Sequence, residues 1–149
     1  MSTSKLRIAV AGAGQIGKRH IEHILKSDAC MLSAIVDSAA SGADYARSLG
    51  VPCYRTLAEL FAAGRPDGVI LSTPNQLHAE QALECVAAGV PTLVEKPITH
   101  TLVAGIALCE AAEAANVPIL VGHHRPHGSI IAKAVEIIRS GTLGKIVAV

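Results

Sequence analysis

The sequence predicts an α/β fold: a doubly wound parallel sheet with helices on both faces, three layers in all. Two observations carry that expectation. One is the stretch Leu6 to Ile24, LRIAVAGAGQIGKRHIEHI, where a short apolar strand runs into Gly12-Ala13-Gly14-Gln15-Ile16-Gly17 and then into an amphipathic helix. The other is a helix-to-strand signal that returns three times, at Gly50-Val51-Pro52, Gly89-Val90-Pro91 and Asn116-Val117-Pro118. Each triplet supplies a residue able to take the left-handed cap conformation, then a hydrophobic residue, then a proline that forbids another helical turn. A strand candidate follows every time, and strict alternation of strand and helix implies a parallel sheet.

The first stretch has a physical logic of its own. Gly12 permits the tight turn, Gly14 lets backbone approach a pyrophosphate, and Gly17 lets helix and strand pack closely. The helix start at Gln15 and Ile16 offers unpaired N–H groups and the positive end of the helix dipole to phosphate. In the helix, Ile16, Ile21, Ile24 and Leu25 form the apolar side. The second strand, Met31 to Val36, ends at Asp37, about 20 residues past the last glycine, where an acid meets the adenosine ribose. Asp37 can accept from both ribose hydroxyls and repels a 2′-phosphate, which favours NAD over NADP. Ser38 and Ser41 soften that preference, but no arginine adjoins to welcome the phosphate. The competing reading makes Asp37 an ordinary surface turn residue.

Further along, Ser41 to Leu49 is an alanine-rich helical segment with Ala43, Ala46 and Leu49 as its apolar side. Cys53-Tyr54, Thr92 to Glu95 and Ile119 to Val121 are the strands that follow the three triplets. Thr56-Leu57-Ala58-Glu59 is a capping box for a short helix ending near Gly64. Gly68 to Ser72 is a nearly uninterrupted apolar run, as a central parallel strand should be. Asn75 is placed as the N-cap of a helix through Ala88, and Thr101 to Ala115 reads as another amphipathic helix. His127 to Arg139 reads as a helix capped by Gly141, and Lys145 to Val149 as the start of a strand. That last strand belongs either to a second domain or to the same sheet.

Ligands of an open parallel sheet sit beyond the carboxyl ends of its strands. Those ends are Gly12 to Gly17, Asp37, Ser72-Thr73-Pro74-Asn75, Glu95-Lys96-Pro97 and Gly122-His123-His124-Arg125, so polar groups converge on one edge. Two charges directly after an apolar strand are costly. Glu95 and Lys96 either pair with each other, or Lys96 sits beside the cofactor's reactive ring and polarises a substrate hydroxyl. Pro97 is a candidate for a cis bond that holds this geometry. The histidine spacings His20-x-x-His23 and His123-His124-x-x-His127 bring no carboxylate or cysteine at a recognised zinc spacing, so no metal is expected. His20 and His23 read as helix-surface or packing residues, while His78 is within reach of the cleft from the helix begun at Asn75.

Composition narrows the partners. Half of the 149 residues are hydrophobic and 17% are charged, which describes a folded domain rather than a disordered chain. A net charge of +1, one Phe and no Trp argue against nucleic acid and anionic membrane surfaces. The four cysteines are scattered without a C-x-x-C, as expected of small core residues in a reducing compartment. No run approaches the ~18 apolar residues of a membrane helix, and Arg7 interrupts what could pass for a signal peptide. Cytoplasmic location is the expectation.

The stretches AGAGQIGKRH, IVDSA, STPNQLH, VEKPIT and VGHHR, in that order, resemble the Gfo/Idh/MocA oxidoreductase family from about Lys5 to Val149. The resemblance implies an NAD-binding Rossmann domain, residues 1–122, and a connecting segment at 123–149 that leads to a larger α/β substrate domain. Gly12, Gly14, Gln15, Ile16, Gly17 and Asp37 would hold NAD. Thr73, Asn75 and His78 would line the nicotinamide side, with Ser72 and Glu95 completing the cofactor set. Lys96 would be the catalytic lysine. The family's acid/base pair belongs to the second domain, so the 149-residue chain is expected to bind NAD without turnover. In the complete enzyme the substrate would be a secondary alcohol of a sugar, cyclitol or related polyol, and the assembly a homo-oligomer. Pro126-His127-Gly128-Ser129 departs from the arginine and Asn-Pro-like pair of many relatives. The alternative is a naturally short, non-catalytic NAD-binding or regulatory module. Unpaired apolar surface near Ile146 to Val149 predicts self-association of the chain.

Overall fold

Apolar runs of two to seven residues, each closed by a turn signal, assemble into a single sheet. The computed structural model describes residues 4–148. The strands are β1 (Leu6–Ala11), β2 (Cys30–Val36), β3 (Cys53–Tyr54), β4 (Gly68–Leu71), β5 (Thr92–Val94) and β6 (Ile119–Val121). The helices are α1 (Gln15–Leu25), α2 (Ala40–Ser48), α3 (Leu57–Ala63), α4 (His78–Ala87), α5 (Leu102–Ala115) and α6 (Ser129–Arg139). The six strands are ordered β3-β2-β1-β4-β5-β6, and every pairing is parallel. The order reverses between β1 and β4, so a crevice opens at their carboxyl ends.

The alternation of side chains along β1 divides the core in two. Ala9 and Ala11 face Leu57, Leu60, Val86 and Leu108 from α3, α4 and α5. Val10 faces the other way, onto Ile21 and Ile24 of α1 and Ala46 of α2. Full burial of an isoleucine such as Ile21 contributes about 1.5–3 kcal/mol, which is what fixes α1 against the sheet. Register sets Ile70, Leu93 and Leu120 side by side on the α1 face, and Leu120 at the edge is exposed.

The three repeated triplets do what their composition requires. Gly50, Gly89 and Asn116 have φ of 69°, 67° and 52°. The valines that follow donate back to Ala46, Cys85 and Ala112 at 3.1, 2.9 and 3.0 Å, completing three Schellman closures. Thr56 caps α3 through its hydroxyl, which accepts from the Glu59 N–H at 3.2 Å. The returning Glu59 carboxylate reaches the Arg55 N–H instead of the cap residue's own. Thr101 caps α5 in the same way, accepting from Ala104.

Several expectations are corrected. Asn75 does not cap α4: Leu77 donates to the Pro74 carbonyl, closing a 3-10 turn over Asn75–Leu77, and α4 starts at His78. The strands at Thr92 and Gly68 end at Val94 and Leu71, before their polar residues. On α1 only Ile21 and Ile24 of the four apolar residues are buried; Leu25 points outward and Ile16 is 42% exposed at the crevice. α5 is apolar nearly all round rather than amphipathic, with Leu102 79% exposed and Leu108 buried. No strand forms over residues 145–148, and Val149 lies outside the described residues. α6 starts at Ser129, after a 3-10 turn at Arg125–His127, and its apolar residues are exposed.

Candidate functional site

The crevice is built first from glycines. Gly12 has φ +87°, and a Cβ there would meet the Ser72 carbonyl oxygen at 2.7 Å. A Cβ on Gly17 would sit 1.8 Å from the Gly12 carbonyl oxygen, so helix and turn can touch only through bare backbone. Gly14 differs from both: nothing lies within 4 Å of its Cβ position. Its open side faces away from the fold, at the N-cap of a helix whose first turn carries no acid and whose N-cap makes no side-chain bond. The Lys18 N–H is the first to be met within the helix, by the Gly14 carbonyl. The N–H groups of Gln15, Ile16 and Gly17 are therefore presented to an anion.

Asp37 follows β2 and turns back toward this loop. One carboxylate oxygen accepts from the Ala13 N–H at 2.7 Å, the other from Ala39 N–H at 2.9 Å. An ionised carboxylate offers about four acceptor sites, so roughly two remain for a pair of hydroxyls. A Cβ on Gly42 would lie 2.5 Å from the Asp37 side chain, so the first turn of α2 must be bare for the acid to hold this pose. These residues fit a dinucleotide: an open backbone face for phosphate and a half-committed acid for ribose.

The nicotinamide side is expected at the ends of β4 and β5. The Ser72 hydroxyl is turned inward on the carbonyl oxygens of Ala11 and Gly12, both at 2.9 Å, and ties β4 to the glycine turn. The Thr73 hydroxyl donates to the Gln81 side-chain oxygen on α4. His78 is 2% exposed, with its ring nitrogens 2.8 Å from the Pro97 carbonyl oxygen and 2.9 Å from that of Thr73. It bridges the two loops from beneath. The Lys96–Pro97 bond is cis.

Lys96 lies where three cavities adjoin. One, of 250 Å³, is lined by Ile16, Ser72, Thr73, Asn75, His78, Glu95 and Pro97 as well as Lys96. The second, 260 Å³, adds Arg19, His20, His23 and His124. The third, 430 Å³, lies against Gly122, His123, His124 and Pro126. Among the described residues the Lys96 ammonium makes no ion pair. Glu95 is turned from it, toward His20 at 2.9 Å. The reading in which Glu95 and Lys96 pair with each other is thus overturned; His20, expected at the helix surface or in packing, is partly buried and bonded to Glu95. A separate hollow of 420 Å³ beside α5, lined by Ile98, Leu108 and Val117 among others, is mainly apolar and does not include Lys96.

Gln81, Gly42 and His20 were not legible as site residues, and Gly122 was legible only as a strand end on the ligand edge, not as room for Glu95. His20 acts on a carboxylate 75 residues away, and no local spacing marks such a pair; Gln81 and Gly42 act on Thr73 and Asp37 nearby, but no recognised motif links them. Among the described residues no three His, Cys, Asp or Glu side chains are grouped to hold a metal ion, and no helix is long and apolar enough to cross a membrane.

Fold and rim together define a dinucleotide-binding α/β domain. Residues 6–123 match the family model described as oxidoreductase family, NAD-binding Rossmann fold. The chain belongs to that family, Gfo/Idh/MocA, as its NAD-binding domain. It is 27% identical over 143 residues to the rhizopine catabolism protein MocA of Rhizobium meliloti, covering 96% of this chain and 45% of that protein. It is 30% identical over 148 residues to inositol 2-dehydrogenase of Leifsonia xyli, covering 97% of this chain and 44% of the other. The WlbA dehydrogenase of Bordetella pertussis, solved in complex with NADH and UDP-GlcNAcA, superposes with a TM-score of 0.89. It is 28% identical, and the match covers 96% of this chain and 44% of that one. The chain thus spans less than half the length of these relatives.

Proposed function

We propose that this chain is the cofactor-binding half of a dehydrogenase that moves hydride between a secondary alcohol of a sugar, cyclitol or related polyol and NAD. The observation that carries the reading is the meeting of three things on one rim: the open face of Gly14, the Asp37 carboxylate and the unpaired Lys96. The free N–H groups of Gln15, Ile16 and Gly17 would hold the pyrophosphate, and Asp37 the ribose hydroxyls. Ile16, exposed in the crevice beside Thr73, Asn75 and Lys96, would pack against the nicotinamide ring, which when bound supplies the hydride acceptor. Lys96 would donate to the substrate oxygen, orient it and stabilise the charge that develops as its proton leaves. Residues 1–122 would form the cofactor domain, with 123–149 leading toward a substrate domain. The relative solved with NADH and UDP-GlcNAcA and the similar inositol 2-dehydrogenase support the substrate class.

Calorimetric titration tests this reading. The 149-residue chain should bind NAD more tightly than NADP, and Asp37→Asn should narrow that preference by about tenfold, or roughly 1.4 kcal/mol. Absence of heat with either nucleotide would refute it. Steady-state oxidation of a polyol by this chain alone would refute the expectation that it binds without turning over.

A further inference from the structure

Glu95 and Lys96 are adjacent at the mouth of β5, where a carboxylate and an ammonium would ordinarily find each other. They are kept apart. One Glu95 oxygen lies 2.9 Å from His20 Nε2 on α1, and the other accepts the Lys96 backbone N–H at 3.2 Å. Both side chains of the pair are largely withdrawn from water, His20 being 22% and Glu95 13% exposed. The third side is Gly122, where a Cβ would lie 2.8 Å from the Glu95 oxygen that His20 holds. Three separate elements, α1, β5 and the loop after β6, therefore converge to fix one carboxylate. Meanwhile Lys96 stands where three cavities meet.

We propose that His20 is a positioning residue, which draws the Glu95 carboxylate off Lys96 and so leaves the ammonium free to donate to a substrate oxygen. The proposal rests on the role assigned to Lys96 above, since only chemistry at that amine gives the separation a use. With His20 unable to donate, the Glu95 side chain is released to swing to the neighbouring ammonium. The pairing would then hold the amine charged and occupied. Arg19, His23 and His124 border the same cavity as other claimants on the carboxylate, but His20 is the residue already bonded to it.

The test reads the amine directly and needs neither NAD nor turnover. Only the uncharged amine is acylated, so the 149-residue chain is treated with limiting N-hydroxysuccinimidyl acetate at fixed pH. Modification at Lys96 is timed by peptide mass spectrometry, with exposed Lys18 and Lys133 as internal references. His20→Phe keeps a ring in place but removes the donor, and should slow acetylation of Lys96 roughly two- to fivefold, the range for a partly exposed ion pair. His20→Gln, whose amide can donate near the Nε2 position, should retain the original rate. Combining His20→Phe with Glu95→Gln should restore it. Should His20→Phe melt below the assay temperature, His20→Leu carries the same comparison. An unchanged rate in the donor-less variant overturns the proposal. So does an equal slowing in the double variant, which would assign the effect to damaged packing. A chain that fails to bind NAD yet shows this pattern would sink the functional reading and leave the positioning role standing.

Discussion

Gly14 and Gly17 lie three residues apart in one turn, yet alanine at each should damage a different property. At Gly17 the new methyl would sit 1.8 Å from the Gly12 carbonyl oxygen, well inside contact distance, so backbone must move. Overpacking of this kind costs about 1–3 kcal/mol and occasionally more, and the opposing atom here is backbone, so the upper end applies. At roughly 2–4 °C per kcal/mol for a chain of this size, the melting temperature should fall by about 6–12 °C. At Gly14 the methyl meets nothing within 4 Å, and φ −70° with ψ −168° suits alanine. The entropy gained from a stiffer unfolded chain, about 0.4–1 kcal/mol, offsets alanine's poorer N-cap character, so stability should change by less than about 0.5 kcal/mol. What Gly14→Ala should remove is access for pyrophosphate, weakening NAD binding by at least about tenfold. Differential scanning calorimetry and NAD titration of both variants check this. Gly14→Ala with undiminished NAD affinity, or Gly17→Ala with the parent's melting temperature, would refute the division of labour drawn from the turn.

Two further outcomes are expected. Burial pushes the Cys85 thiol up from 9.0 to about 11, partly countered by the Thr92 hydrogen bond and slightly reinforced by Glu84. Between those values the unfolded chain sheds this proton while the folded chain keeps it. The associated stability is intact below pH 9 and falls as pH rises toward 11, by up to about 2–3 kcal/mol. Denaturant titrations at pH 8.5 and 10.5 should show a steeper loss in the parent than in Cys85→Ala, and equal losses would count against the burial argument. The exposed apolar residues Leu120, Ile130 and Val147 should make the chain self-associate. Sedimentation showing only monomer at high concentration would contradict that.

The repetitive parts of this fold were legible because their causes are local. The Gly or Asn, Val, Pro triplets contain both the left-handed residue and the stop, so each closure could be placed to the residue. The glycine turn and Asp37 were legible for the same reason, their spacing being set by one strand, one helix and the next strand. What escaped was decided by competing local turns or by contacts across the sheet. Asn75 lost the cap position because the Pro74 carbonyl closed a tighter turn first. Ile16 sits on the apolar side of its helix by periodicity, but that side overhangs the crevice at the first turn, where the sheet no longer lies beneath it. The partnership of His20 with Glu95, and the bareness that Gly122 contributes to the same carboxylate, depend on strand order. No short window of sequence contains both partners.

The three Schellman closures all lie on the end of the sheet where helices hand over to strands, and none lies on the rim that bears Asp37, Thr73 and Lys96. Architectural fastening and ligand chemistry are thereby segregated to opposite poles. Loops at the chemical pole can be lengthened, shortened or re-lettered without loosening a single one of those fasteners. A scaffold so partitioned suits grafting: new specificities can be installed at one end while the other keeps the open sheet and its helices in register.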